Sequence, residues 1–219
     1  MNLNFSQIVS SIPFILGGLG LTLEIVIVSI LLGLVLAIVL AFMKISRSKL
    51  LIFIADFYTS IFRGTPMVLQ LMIIYFGLPQ IIGFDIHQFP AAVLAFGLNS
   101  GAYVSEIIRA GIQAVDKGQK EAATALGIPY RKMMAKIILP QAIKNILPAL
   151  MNEFISLTKE SAVVTVIGAS DLMRRAYLVG GDLYSYMEPL IFVAGVYYVL
   201  VMILTLLGKM LEGRLRTND

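Results

Sequence analysis

Five long apolar segments alternate with short polar or basic stretches along the 219 residues of the chain. A helix of about 20 apolar residues crosses the hydrocarbon core of a bilayer. The segments lie at about 16–43, 51–82, 89–111, 139–167 and 189–207. This pattern predicts an all-α integral membrane protein in which residues 1–219 form a single transmembrane domain.

The second segment is too long for one straight crossing, and a glycine and a proline interrupt it near 64–66. Threonine often caps a helix, and proline is favoured at the first helical position. We therefore predict an inner helix at 51–62, a break at which Thr65 caps the next helix, and a spanning helix at 67–82.

Basic residues flank the segments unevenly, and this unevenness sets orientation in a membrane. The outer connection at 169–187 carries Arg174 and Arg175 and is predicted to contain a short amphipathic helix. The flanks assigned to the inside carry Lys44, Arg47, Lys49, Lys117, Lys120, Arg131, Lys132, Lys136, Lys209, Arg214 and Arg216. Five transmembrane helices follow, with the N-terminus outside and the C-terminus inside.

The composition agrees with a membrane protein and argues against other classes of protein. With 58% hydrophobic residues and a mean hydropathy of +0.89, the chain is not a soluble globular protein. Its net charge of +4 gives little support for nucleic-acid binding, because the basic residues sit beside apolar segments. The N-terminus lacks a basic region and a small-residue cleavage site, so we expect the first segment to be retained.

Polar residues recur on one side of the third and fourth segments, where charge is costly and therefore informative. At about 100° per residue, the polar residues of the fourth segment fall within a third of the helix circumference. They are Asn145, Asn152, Glu153, Ser156, Lys159 and Glu160. On the third segment Asn99, Tyr103 and Glu106 share a face, and Arg109 is placed to pair with Glu106.

Two polar faces on adjacent spans can hold a zwitterionic solute. Glu153 lies in the middle of the fourth segment, so we predict that it binds a cationic group of a lysine-, arginine- or histidine-like substrate. The predicted substrate-binding set is Glu153, Asn99, Tyr103, Ser156, Lys159 and Glu160. The alternative is a structural network that holds helices together, and for Glu106 and Arg109 we favour that alternative.

Several chemistries are absent from the sequence. It has no glycine-rich phosphate-binding motif, no metal-ligand spacing and no cysteine, and its one histidine is His87. We therefore predict no catalytic residues, no metal and no cofactor in this chain. Energy for transport must come from a partner.

The stretch at 116–137 interrupts the apolar pattern between the third and fourth segments. Helix-forming residues at 117–126 predict a short helix, which Gly127 and Pro129 end. The spacing of Glu121, Ala122, Ala123 and Gly127, followed by Ile137, Leu139 and Pro140, resembles the EAA loop of ATP-binding-cassette (ABC) importer permeases. The motifs RGTP (63–66), SGAY (100–103), NEF (152–154) and KES (159–161) resemble the histidine, glutamine and arginine permeases of the polar amino acid family.

This resemblance, which covers most of 22–208, implies a type I (MetI-like) permease core. It implies that Glu121, Ala122, Ala123, Leu126 and Gly127 form a coupling helix that docks on a cytoplasmic ATPase dimer, which holds ATP and magnesium. It further implies a second permease chain, identical or paralogous, and an external solute-binding protein. The expected function is import of polar, basic amino acids by alternating access, in the cytoplasmic membrane of a prokaryote.

Two other classes stay open at this point. In an ion-coupled secondary carrier or channel, Glu153, Lys159 and Glu160 would form an ion relay and no ATPase would be needed. A membrane-embedded enzyme or scaffold is the third class, and the lack of a catalytic constellation argues against it.

Overall fold

The apolar runs fold into helices, as their lengths predict, in the computed structural model, which describes residues 3–216. The α-helices are α1 (Ile12–Leu16), α2 (Leu19–Lys44), α3 (Lys49–Gly64), α4 (Met67–Met72), α5 (Leu78–Ile82), α6 (Gln88–Gln113), α7 (Lys117–Ala125), α8 (Tyr130–Met133), α9 (Leu139–Glu160), α10 (Leu172–Asp182) and α11 (Met187–Arg216). Segments of 3₁₀-helix (Phe5–Ser11, Ser161–Ile167) and π-helix (Ile73–Gly77, Met134–Ile138) join some of them.

Three helical stretches in the described part of the chain are long and apolar enough to cross a bilayer: Phe5–Lys44, Gln88–Gln113 and Met187–Gly213. The bent pair Lys49–Gly64 and Met67–Ile82 makes a fourth if it is one span. Helix α9 does not reach that apolarity, because its lysines, glutamates and asparagines lower its hydropathy. The five-span topology and its orientation therefore stay predictions.

The predicted break in the second segment is present as a bend of 103° between α3 and α4. The prediction that Thr65 caps the second helix was wrong. Thr65 and Pro66 are both extended, α4 begins at Met67, and the Thr65 hydroxyl donates to the Ile61 carbonyl oxygen at 2.8 Å. A residue before proline is pushed out of the helical region, so Thr65 ends α3 instead.

Helices α2 and α6 pack closely because glycines line their contact. A Cβ on Gly33 would lie 2.9 Å from the Ser100 Cβ, and one on Gly97 would lie 2.6 Å from a Leu32 methyl. Gly101 is the next small residue one turn along α6, where a Cβ would approach Leu36 at 3.0 Å. Small residues four apart let membrane helices approach at backbone distance, so this packing fixes α6 against α2.

The predicted outer connection contains α10, which is held by a buried aspartate. Asp171 is fully buried and accepts a 2.8 Å hydrogen bond from the Arg174 amide and a 3.1 Å bond from the Thr165 hydroxyl. Burial raises the pKa of the Asp171 carboxyl, and these hydrogen bonds oppose that rise. The neighbouring Leu172 amide donates to Thr22 Oγ1 at 3.3 Å, which ties the start of α10 to α2.

Three apolar clusters hold the helices together. The largest joins α2, α4, α6 and α9 around Phe96 and Leu157. A second joins α10 and α11 around Leu172 and Val193. The third lies at the other end of the molecule, where Ala123 of α7 packs with residues of the π-helical segment and α9.

Candidate functional site

The predicted substrate-binding residues come from two helices that pack directly on one another, α6 and α9. Asn99 and Tyr103 lie on α6, and the other four lie on α9. The structure brings Glu153 next to α6, because the Ser100 hydroxyl of that helix lies beside the Glu153 carboxylate. The third and fourth segments therefore face each other at the carboxylate that the sequence singles out.

Glu153 is half-buried and has no salt-bridge partner within the part of the chain that the structure describes. Its charged neighbour is another anion, Glu160, which lies two turns further along α9 and repels it. An isolated carboxylate in a low-dielectric environment is costly unless a cation or donors compensate it. The geometry is therefore suited to accept a positively charged group from outside the chain.

The remaining α9 residues of the predicted set extend from Glu153 towards the end of the helix. Ser156 is half-buried one turn away, and Lys159 and Glu160 are exposed. Lys159 lies close enough to Glu160 to attract it. This part of α9 thus offers a hydroxyl, a cation and two carboxylates along one open surface.

Tyr103 is more than a third exposed, and the Arg63 guanidinium lies 5.2 Å from the centre of its ring. This distance is that of a cation–π contact. Arg63 belongs to the last turn of α3, so the contact brings the helix break beside the polar face of α6. Tyr103 therefore stands on the same helix as Asn99, and Arg63 of α3 lies over its ring.

Asn99 differs from the other members of the predicted set, because it is buried and its amide is already engaged. Its Nδ2 donates to the Phe62 carbonyl oxygen and to Gln70 Oε1, both at 3.0 Å. Gln70 Nε2 donates in turn to the carbonyl oxygens of Phe62 and Thr65, at 2.9 and 3.0 Å. These bonds satisfy carbonyl groups that the bend between α3 and α4 leaves without helical partners.

Gln70 is a member of this buried network that the sequence did not single out. Its amide stands one turn into the apolar stretch that follows the break, and a buried polar side chain at that position requires a partner. That signal was present in the sequence, but the identity of the partner depends on how α4 packs against α6.

A second charged cluster, hereafter the inner ionic cluster, joins α2, α3 and α6. It consists of Lys44, Asp56, Thr59, Glu106 and Arg109. The Lys44 ammonium donates to Glu106 and to the Thr59 hydroxyl, the latter at 2.9 Å, and lies 3.4 Å from an Asp56 oxygen. Arg109 donates twice to the other Glu106 oxygen, at 2.9 and 2.6 Å.

The expected pairing of Glu106 with Arg109 is therefore confirmed. Lys44 was interpreted only as an orientation signal, yet its side chain is 1% exposed. No local pattern reveals this contact, because Lys44 and Glu106 are 62 residues apart. Within this cluster each charge has an opposite charge beside it.

The predicted short helix after α6 is α7, and it ends as its sequence predicts. Gly127 has a φ of +69°, which an L side chain rarely adopts. The Ile128 amide donates to the Ala123 carbonyl oxygen and the Gly127 amide to that of Thr124, both at 3.0 Å. This pair of bonds is the Schellman motif that closes many helices at a glycine.

The five predicted coupling residues do not share one surface. Ala123 is buried against the third apolar cluster, whereas Leu126 is 78% exposed, and Glu121, Ala122 and Gly127 are also exposed. Helix α7 is therefore anchored to the rest of the chain through Ala123 and presents a leucine outward. A large exposed apolar side chain beside helix-end polar groups is suited to contact another protein.

Comparisons with known proteins agree with this architecture. Residues 29–217 match the family of binding-protein-dependent transport system inner membrane components. Over the whole length of both proteins, the chain is 65% identical to the arginine transport system permease protein ArtQ of Bacillus subtilis. It is 50% identical to the putative glutamine transport system permease protein GlnP of Rickettsia felis, covering 94% of this chain and 95% of that protein.

A solved amino acid ABC transporter with histidines has the same fold. Its TM-score is 0.93 at 45% identity, and the match covers 98% of this chain and 100% of that one.

Proposed function

The chain belongs to the family of binding-protein-dependent transport system inner membrane components, and we propose that it carries basic amino acids across a prokaryotic cytoplasmic membrane. It is the permease subunit of an amino acid ABC importer, in which a separate subunit hydrolyses ATP. Family membership disfavours the ion-coupled carrier. In addition, a carrier without an ATPase would have no use for the coupling segment.

The observation that carries the substrate proposal is the Glu153 carboxylate, which is half-buried beside α6 without a cationic partner in the described residues. Arginine, lysine and histidine bring such a cation. The name of the arginine permease ArtQ supports this substrate class, and the name of the glutamine permease GlnP supports a neutral alternative.

In the proposed site, Glu153 binds the cationic side chain, and Ser156, Lys159 and Glu160 supply further donors and acceptors along α9. Tyr103 lies on the opposing helix. We assign Asn99 a positioning role, since its amide holds the bend that carries Arg63. The substrate α-carboxylate needs a cation, and Lys159 and Arg63 are the exposed candidates on this surface.

We further propose that α7 is the coupling helix and that transport follows alternating access. Closure of an ATPase dimer would move α7, and the anchoring of Ala123 would pass that movement to α6 and α9. A second permease chain and an external solute-binding protein complete the proposed assembly. The exposed tyrosines Tyr177, Tyr184 and Tyr186 of the outer connection are the proposed contact for the binding protein.

The test is amino acid stimulation of ATP hydrolysis by the chain purified with its ATPase in nanodiscs. Arginine, lysine, histidine, glutamine and glutamate are titrated separately. We expect a response to the cationic amino acids that Glu153→Gln weakens about 10- to 100-fold, since a hydrogen bond to a charged group contributes about 1.5–3 kcal/mol.

Glu24→Gln is the matched control, because Glu24 is an exposed carboxylate in α2, away from the proposed site. An equal loss in both variants, or a response restricted to glutamine and glutamate, would overturn the assignment of Glu153.

A further inference from the structure

An apolar groove of about 480 Å³ lies between the last turns of α2, the end of α6 and the segment from α8 to α9. Ile38 and Phe42 line it from α2, Ile108 and Ile112 from α6, and Ala135 lies opposite. Arg131 is the single charged residue among those that line it, and Tyr130 stands beside it. The volume is within the range of about 300–1,000 Å³ that is usual for small-ligand sites.

The groove opens on a surface that differs from the polar face of α6 and α9. The outward side of α2 exposes a continuous apolar stripe that leads into the groove. The stripe consists of Ile27, Val28, Leu31, Val35, Ile38, Val39 and Phe42. Such a surface is suited to hydrocarbon, and a groove that continues it is suited to an acyl chain.

The charge at one end of the groove is positive. Arg131 and its neighbours Lys132 and Lys136 are all exposed, as is Arg47 just after α2. Tyrosine and basic residues mark the level where the bilayer meets water. In the proposed orientation this level is cytoplasmic, where the leaflet carries anionic lipids that attract basic residues.

We propose that this groove binds an anionic phospholipid, with one acyl chain between α2 and α8 and the phosphate on the Arg131 guanidinium. Guanidinium pairs with phosphate through two parallel hydrogen bonds, a geometry that lysine does not offer. The site rests on the proposed orientation of the chain and not on its substrate.

The groove has a structural connection to the coupling segment. Ile45, Ile112, Tyr130 and Met134 line both the groove and a neighbouring cavity that Asp116, Lys117 and Lys120 of the α7 region also line. A bound lipid would therefore pack against the same side chains that seat α7. Loss of the lipid is expected to loosen that seat and to lower ATP-coupled transport in addition to lipid retention.

The test is native mass spectrometry of the chain purified with its accompanying subunits in mild detergent, after incubation with phosphatidylglycerol or phosphatidylcholine. We expect the wild type to retain more phosphatidylglycerol than phosphatidylcholine. Arg131→Gln should weaken that retention about fivefold, which corresponds to about 1 kcal/mol for one basic residue at the membrane surface. Lys132→Gln removes the same charge from the adjacent residue, which does not line the groove, and should weaken phosphatidylglycerol retention less than Arg131→Gln does.

Ala135→Phe provides an independent test, because Ala135 is exposed in the groove and a phenyl ring there occupies the acyl-chain space. It should reduce retention of both lipids. Arg131→Lys keeps the charge if Arg131→Gln fails to assemble, and it should show an intermediate loss. Equal losses in the Arg131→Gln and Lys132→Gln variants, or unchanged retention in Ala135→Phe, would overturn the site without affecting the amino acid proposal.

Discussion

The inner ionic cluster and the polar face around Glu153 both place charges on helices that pack against α6, but they balance those charges differently. In the inner ionic cluster, Lys44 lies between Glu106 and Asp56, and Arg109 binds Glu106 a second time. Around Glu153 the charge that acts on it is a second carboxylate, Glu160, which repels it. One region pairs its charges within the single chain, whereas in the other Glu153 has no salt-bridge partner among the described residues.

This difference indicates what each region does. Buried charges that pair with one another stabilise a defined helix arrangement and leave no capacity for a ligand. A carboxylate without a cation keeps that capacity. The same residue types therefore serve packing near the end of α6 and, in our proposal, substrate binding between α9 and the middle of α6.

The largest expected effect on stability comes from breaking the paired region. Lys44→Met leaves two carboxylates near an apolar side chain, and removing one partner of a buried pair costs about 3–5 kcal/mol. We expect the lower end of that range, because Glu106 keeps Arg109. Thermal unfolding in detergent measures the loss, and Lys49→Met, at an exposed lysine, is the control.

The double variant Lys44→Met with Glu106→Gln should lose less stability than the sum of the two single losses, since both changes remove the same ion pair. Equal unfolding temperatures for Lys44→Met and the wild type would show that the cluster is not a stabilising contact.

A smaller effect is expected at the neutral network of the helix break. Asn99→Ala removes both donors from Asn99 and leaves Gln70 Oε1 without its partner, which costs about 1–3 kcal/mol for a buried group. Gln70→Ala should cost a similar amount, and the two losses should not add, because the residues share one network. Full additivity of the two losses in thermal unfolding would contradict the positioning role of Asn99.

A substitution in the coupling segment should make transport fail while both charged regions stay intact. A Cβ added at Gly127 would meet no atom within 4 Å, so its positive φ is the feature that opposes substitution. Gly127→Val should cost about 1–2 kcal/mol, the usual penalty for an L residue in the left-handed region. Uptake per ATP hydrolysed should fall while arginine binding is kept.

Gly127→Asn is the control, since asparagine tolerates positive φ better than other side chains. Equal uptake per ATP in the Val and Asn variants would contradict a coupling role for this helix end.

The smallest effect on stability is expected at Glu153, although its effect on function is expected to be large. Glu153→Gln removes a half-buried charge that has no salt-bridge partner in the described chain, so it should cause no loss of stability. Thermal unfolding of Glu153→Gln and Lys44→Met in the same detergent compares the two stability changes directly. A loss as large as that of Lys44→Met would show that Glu153 is structural.

Features that depend on neighbouring residues in sequence were predictable. Gly127 signals the end of α7, and glycine and proline signal the break after α3, because both act on local backbone geometry. Thr65 was predicted to cap the helix after the break, but it ends the helix before it. Thr65 has a helix on each side, and the following Pro66 decides which helix it belongs to.

Features that depend on packing between distant segments were not predictable. The contact of Lys44 with Glu106 joins residues 62 apart, and that of Asn99 with Gln70 joins residues 29 apart. Helical periodicity placed Asn99 and Tyr103 on one face but gave no indication that the first is buried and the second exposed. The inward orientation of Ala123 likewise follows from the apolar cluster beneath α7.

The central claim is that Glu153 binds the cationic group of the substrate, and the most direct measurement compares arginine with citrulline. Citrulline has nearly the same shape but carries a neutral urea in place of the guanidinium. Binding of both is measured by calorimetry to the wild type and to Glu153→Gln, purified with the ATPase in nanodiscs. We expect the wild type to prefer arginine by about tenfold or more, the equivalent of at least about 1.4 kcal/mol, and the variant to lose that preference. The same preference for arginine in both proteins would contradict the claim.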